Sequence, residues 1–361
     1  MRLKRFLALF AVFFLLYALT AQRGFGWGDS AEFQDWILNR ADWICGPHFS
    51  NAHPLYVAFC RLVASTNYGV SLVSSFFGAL SVGGLYLCTR RTSLALVFGL
   101  THMLWWNSCL AEVQTMNLGF TVFETLLLLK FVVGGRWWWF ALMVFLNGVH
   151  LEVHNFALLA LPVYAAAFFV RARGRELGLA FPLLSVWAAG ACGWLHALVT
   201  RGAADVLVGN YGAKVAGLWP ENPTLTAFNF ALAGLSFFAP LAIWWWGRKD
   251  FRREAEDAGG ERRKAGWLVA LLAINLVFWV RYFVPDQATF LLPTLFFAHL
   301  LVARFELRRN RALALMAMQV LLPVIAWQVL SALPVPDWKT RHEGRNDAAY
   351  FALPWKVGVA R

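Results

Sequence analysis

Charge is what this sequence has least of. Of its 361 residues only 14% are Asp, Glu, Lys or Arg, against 60% hydrophobic, and it holds no polar stretch long enough for a soluble domain. A chain so composed cannot hide its apolar surface from water, which excludes an ordinary globular enzyme and leaves an all-α polytopic membrane protein. Acids are scarcer than bases, 20 against 32. The net charge of +12 would suggest nucleic acid in a soluble protein, but in a bilayer the placement of charges outweighs their sum, so no nucleic-acid partner follows. The five cysteines (Cys45, Cys60, Cys88, Cys109, Cys192) form no CxxC pair and no His-rich ligand spacing. That excludes a structural zinc and an obligatory disulfide framework, with Cys45 and Cys60 the one pairing to check. A cleavage site is also missing. Met1-Arg2-Leu3-Lys4-Arg5 and the apolar run after it look like a secretory signal, but Tyr17-Ala18-Leu19-Thr20-Ala21-Gln22 has no small-x-small pattern, so the first helix is expected to stay.

Abundant instead are apolar runs. Cut at basic punctuation, they predict about eleven spans, at 3–20, 69–89, 92–108, 110–129, 137–151, 155–170, 178–199, 225–246, 267–281, 288–303 and 312–331. With the N-terminus inside, most of the 32 Lys and Arg fall on the inner side, as the positive-inside rule requires. Asp29, Glu32, Asp35, Asp42, Glu112, Glu152, Asp205, Glu221, Asp286, Asp337, Glu343 and Asp347 all fall outside. Any chemistry therefore faces outward. The transmembrane domain covers 1–331, with an outer loop at 21–68 that is expected to form interfacial helices, a second outer loop at 200–224, and a charged inner linker at 247–266. A polar outer tail occupies 332–361. The Trp105-Trp106 pair and the Trp137-Trp138-Trp139 run are read as interfacial belts.

The first outer loop opens with Trp27-Gly28-Asp29-Ser30-Ala31-Glu32-Phe33. A glycine beside an aspartate just past a membrane helix makes a turn that can hold a carboxylate at the rim of the bilayer. With a helix starting near Ser30, Glu32, Asp35 and Trp36 continue the face of Asp29 and line a cleft. The alternative is that Asp29 or Ser30 caps that helix.

Other outer ends carry polar groups as well: Gly46-Pro47-His48, Ala52-His53-Pro54-Leu55-Tyr56 running on to Arg61, Ala111-Glu112-Val113-Gln114-Thr115-Met116-Asn117, Asn147 to Asn155, and Arg281-Tyr282-Phe283-Val284-Pro285-Asp286. A charge facing lipid near the bilayer centre costs about 2.5–3.5 kcal/mol, so these groups are expected to face one another or water in a shared cavity. Each has a structural alternative. Glu112 could pair with a base to hold helices together, and Arg281 could snorkel as an interfacial anchor. His150 and His154, at i and i+4 around Glu152, superficially suggest a metal site, but without an HExxH they read as helix-end histidines and no metal is expected.

Together these segments resemble a branch of the GT-C superfamily: multi-spanning glycosyltransferases that use polyprenyl-phosphate sugars and are related to protein O-mannosyltransferases. Gly28 to Phe33 is similar to the branch's GDSGEF signature, His53-Pro54-Leu55-Tyr56 to its HPPGYPLY, and Ala111 to Asn117 to its AEVYxxN. Gly148 to His154 resembles the stretch before a proline-bearing helix, here with Pro162, and Tyr282 to Asp286 with Phe290 and Pro293 resembles a late YxxxD…F…P motif. Ala31 replaces a glycine, Gln114 an aromatic, and the broken histidine block leaves either His48 or His53 as the family histidine. The C-terminal soluble repeats of some members are lacking, which leaves the acceptor open.

The resemblance implies a GT-C-like bundle and the transfer of a mannose-like sugar from a polyprenyl-phosphate donor to a hydroxyl of a protein, lipid or glycan, with inversion. It makes Asp29 the general base, and Arg281, His53, His154 and Asn155 the groups that receive the phosphate's charge. Glu32 and Glu112 would orient hydroxyls, with Asn117 and Asp286 completing the substrate set. No cofactor is needed. The setting implied is a bacterial inner membrane with the site on the periplasmic face. The alternative is a non-catalytic protein, either a transporter or flippase of a lipid-linked sugar, which Glu124 inside the fourth span favours, or a polyprenyl-phosphate binder.

Overall fold

The computed structural model describes residues 2–26, 29–40, 48–49, 52–209, 223–248, 259–283, 287–332 and 351–357. Among these residues the chain is helical, without strands. The long helices are α1 (Arg2–Thr20), α4 (Asn67–Thr89), α7 (Gln114–Gly134), α12 (Pro223–Gly247), α13 (Gly259–Arg281) and α15 (Arg309–Ala332). Between them lie α2 (Asp29–Asn39), α3 (Pro54–Val63), α5 (Thr92–Gly99), α6 (His102–Ser108), α8 (Trp137–Leu151), α9 (Leu161–Arg171), α10 (Ala180–Gly190), α11 (Cys192–Arg201) and α14 (Leu292–Val302).

Six helices are long and apolar enough to cross a membrane, and the segment from Gly174 to Arg201, bent by 80° between α10 and α11, makes a seventh if taken as one span. Each of the eleven apolar runs has a helical counterpart, but several are short or broken, so length alone does not reach eleven. The run at 92–108 divides into α5 and α6 because Leu100 and Thr101 leave the helix, and α8 is 15 residues long. Loop 21–68 contains the two expected short helices, α2 and α3. The charged linker is shorter than expected, since α12 runs to Gly247 and α13 starts at Gly259.

The centre of the bundle is α4, packed on α1, α5, α6 and α7, with α7 on α8 and α8 on α10. Its sequence explains the position. Gly84 lies so close to α7 that a Cβ would stand 2.2 Å from Val122, and Gly78 is equally tight against Ser108. Small residues let backbones approach where no hydrophobic effect drives helices together, and the serines of α4 add bonds across the seams: Ser75 to Ser108 O at 2.7 Å and Ser74 to Glu112 O at 2.9 Å. Thr66 caps α4 by accepting from Gly69 N, and Gly135, at φ 65°, ends α7 in the left-handed conformation that glycine adopts without strain.

Two expectations about aromatic and terminal segments change. Trp105 and Trp106 are buried, not interfacial: the Trp105 indole donates to Thr20 Oγ1 at 3.0 Å, and Trp106 stacks on Phe351. The Trp137-Trp138-Trp139 run is partly exposed, as a belt would be. The tail at 332–361 is described only over 351–357, where it is apolar and packed on α6, with His102 Nε2 2.8 Å from Phe351 O.

Candidate active site

Helix α2 begins at Asp29 and buries Ser30, Phe33, Gln34 and Ile37, an i, i+3, i+4, i+7 stripe that seats it on the bundle. Asp29 and Glu32 consequently lie on the exposed face. Asp35 does not continue them into a cleft. It is held by Asn39 at 3.0 Å and Arg40 at 2.7 Å, and those bonds lower its pKa. As an acid in the first turn, Asp29 also complements the helix dipole.

Ser30 ties this helix to the turn before α7: its hydroxyl donates to Glu112 Oε1 at 3.2 Å, and Glu112 N donates to Ser74 Oγ at 3.1 Å. One residue from Asp29, a second carboxylate is thereby held at the same rim. Phe33 packs edge-on against Tyr56 and lies 5.6 Å from the ring of His53.

His53 precedes α3 in the left-handed region, at φ 43°. Its Nδ1 lies 2.7 Å from Val153 O, and since a carbonyl only accepts, Nδ1 carries the proton and Nε2 keeps its lone pair. The ring stacks on His154 at 5.0 Å. His154 Nδ1 accepts from Phe156 N at 3.2 Å, and since a neutral imidazole accepts at one nitrogen only, this shorter bond prevails over the 3.5 Å approach of the Gln114 side-chain nitrogen and puts the proton on Nε2. Burial pushes His53 down to about 4, and burial together with the neighbouring histidines drives His154 well below the usual imidazole value. The pair is therefore neutral at neutral pH. The other candidate, His48, bonds Asp205 at 2.8 Å, away from this stack.

From His154 an aromatic wall continues through Phe156 and Phe290 to Tyr282, next to Arg281 at the end of α13. A chain of contacts thus links the four turns that carry Asp29, Glu112, His154 and Arg281, running from Ser30 and Phe33 through His53 and His154 to Tyr282. Asp286 and the pairing partner Cys45 lie outside the described residues.

Two expected substrate residues face inward. Asn117 is buried and its Oδ1 lies 2.7 Å from His150 Nε2. His150 Nδ1 in turn lies 2.7 Å from Glu124, whose other oxygen accepts from Asn147 and Tyr164. Asn155 is held at both ends, donating to Val206 O at 2.6 Å and accepting from the Trp194 indole at 2.8 Å. Glu152 accepts from Trp194 N at 2.6 Å at the start of α11, and burial raises its pKa. His150, Glu152 and His154 therefore serve three different partners, and among the described residues no group of three His, Cys, Asp or Glu side chains is placed to hold a metal. The separate motifs gave no sign of the Ser30–Glu112 bond, of Ser74 or of the Phe156 wall. A signal for the last two lay elsewhere, in the four-residue spacing of Ser71 and Ser75 beside Ser74 on α4, and in the aromatic after Asn155.

Neither a family model nor a curated protein matches the chain in sequence. Among solved structures, ArnT from Cupriavidus metallidurans, crystallised bound to undecaprenyl phosphate, superposes with a TM-score of 0.64 at 15% identity, over 98% of this chain and 75% of that one. The likeness shows that the chain shares the fold of ArnT. The GT-C superfamily and its O-mannosyltransferase branch are a matter of motif resemblance.

Proposed function

We propose that the protein is a membrane glycosyltransferase that takes a mannose-like sugar from a polyprenyl-phosphate donor and passes it to an acceptor hydroxyl with inversion. The observation that carries this reading is the chain of contacts that links the Asp29, Glu112, His154 and Arg281 turns in a fold similar to that of ArnT. The undecaprenyl phosphate bound to ArnT supports a polyprenyl-phosphate partner. In the reaction the acceptor oxygen attacks the anomeric carbon from the face opposite the phosphate, the bond to the phosphate oxygen breaks, and Asp29 takes the acceptor's proton. Positioned general-base help of this kind contributes about 10²–10⁴ in rate. The departing phosphate takes the bonding pair and needs donors. His53 offers none at Nε2, so the guanidinium of Arg281 and the Nε2–H of His154 take that role. Glu112 and Glu32 orient hydroxyls at the rim. No step uses a metal.

The test is incorporation of sugar from polyprenyl-phosphate mannose and related donors by membranes that contain the native chain or Asp29→Asn. The near-isosteric variant should lose at least about a hundredfold. Unchanged turnover removes Asp29 from the mechanism. Donor movement without transfer would favour the transporter reading, although Glu124, the residue that most invites it, is closed inside the bundle by Asn147, His150 and Tyr164.

A further inference from the structure

At the end of the bundle opposite the four turns, the helix ends of α4 and α7 and the start of α8 border an open groove of about 540 Å³. Arg90, Lys130, Arg136 and Lys264 line it, together with Trp139 and Val133. Among the described residues none of Arg90, Lys130 and Arg136 belongs to an ion pair.

Helix dipoles do not explain so many cations. The C-termini of α4 and α7 together present roughly one negative charge, which leaves the three arginine and lysine side chains in excess by about two. Arg136 is of the wrong sign for a dipole, since it stands at the N-terminal end of α8. Arg90 is more telling. It caps α4 at φ 62°, the conformation for which α7 uses Gly135 at φ 65°, so a guanidinium stands at the groove where the backbone favours glycine. Lys130 is drawn against the Trp139 ring, 3.9 Å from its centre, which holds the ammonium at the wall.

The remaining lining is apolar. Leu126 and Leu129 continue along α7 to Val133, which is 64% exposed on the outside of the helix. An open groove with cations beside apolar side chains matches a ligand with a phosphate at one end and a hydrocarbon chain at the other. We infer that this groove binds the headgroup of an anionic phospholipid, with an acyl chain along Leu126, Leu129 and Val133. A free phosphate would engage the cations and leave the apolar side chains unused. The inference is independent of the glycosyl-transfer reading.

The experiment measures lipid retained by the purified protein in mixed micelles, with phosphatidylglycerol against phosphatidylcholine, beside thermal unfolding in phosphatidylcholine alone. The native chain should prefer phosphatidylglycerol by about tenfold or more. Each neutralised cation should reduce that preference by about fivefold, so Lys130→Gln with Arg136→Gln brings it near parity. Arg90→Gly guards against misfolding: it removes a charge while relieving the positive-φ arginine, so it should lose lipid preference without melting earlier in phosphatidylcholine. The inference is overturned if the native chain shows no preference, if these variants keep it, or if glycerol phosphate and inorganic phosphate displace the lipid at its own concentration.

Discussion

His53 and His154, stacked and buried at the meeting of α3 with the 150–154 turn, make the site sensitive to acid. The His53 imidazole is held down to about 4, while the same group in the unfolded chain titrates near 6.5. Between those values the unfolded chain binds the proton and the native one does not, so the contribution to stability is complete above 6.5 and is lost as pH falls toward 4. His154 acts in the same sense, and Glu152, with its raised carboxyl, in the opposite one. Unfolding temperature should therefore drop between pH 6.5 and 4, and less steeply in His53→Gln. A native profile as shallow as the variant's would contradict the buried stack. At this scale the sequence showed the residue types and their motif neighbours, but not their states. Proton placement on His53 depends on the carbonyl of Val153, a hundred residues away. The same holds for Asn117 and Asn155, whose side chains were legible as polar and outer but are committed to partners that appear only on folding.

The α8–α10 seam is a backbone contact. A Cβ at Gly148 would come within 2.3 Å of Trp187 O, and one at Gly190 within 2.4 Å of Phe145 O. Peptide oxygens cannot rotate away, so Gly148→Val should part the two helices and destabilise by about 1–3 kcal/mol, the usual cost of overpacking. Gly234 in α12 is the control: nothing lies within 4 Å of its added Cβ, and Gly234→Ala should leave the melting temperature unchanged or raise it through helix propensity, by up to about 1 kcal/mol. Equal losses in both would show that the seam is not tight. Because α8 leads directly into the turn bearing His150 to His154, a parted seam should also lower transfer activity. The existence of α8 and α10 followed from hydropathy. Their closeness did not, since a glycine in an apolar helix has the same hydropathy whether it faces lipid or another backbone.

For the molecule as a whole, one end carries Asp29, Glu32, Glu112 and the aromatic wall and the other the basic groove, and the positive-inside rule predicts that the first end faces outward. In a chain whose native cysteines are replaced, Ser65→Cys beside the first end should react with a membrane-impermeant maleimide from the outside of intact cells, and Arg308→Cys only after lysis. Both side chains are exposed. The reverse pattern would place the site on the cytoplasmic face and remove the proposed setting.

Hydrophobic length and charge placement by themselves determined that this chain lives in a bilayer and that it is helical. Each of those properties is local, readable within a window no longer than a span. Tertiary structure alone decided which polar residues meet. Glu112 reaches Ser30, His53 rather than His48 stacks on His154, and Trp105 and Trp106 are core. The Ser30–Glu112 pairing spans 82 residues, and such partners are set by how closely small residues on α4 and α8 let the helices approach.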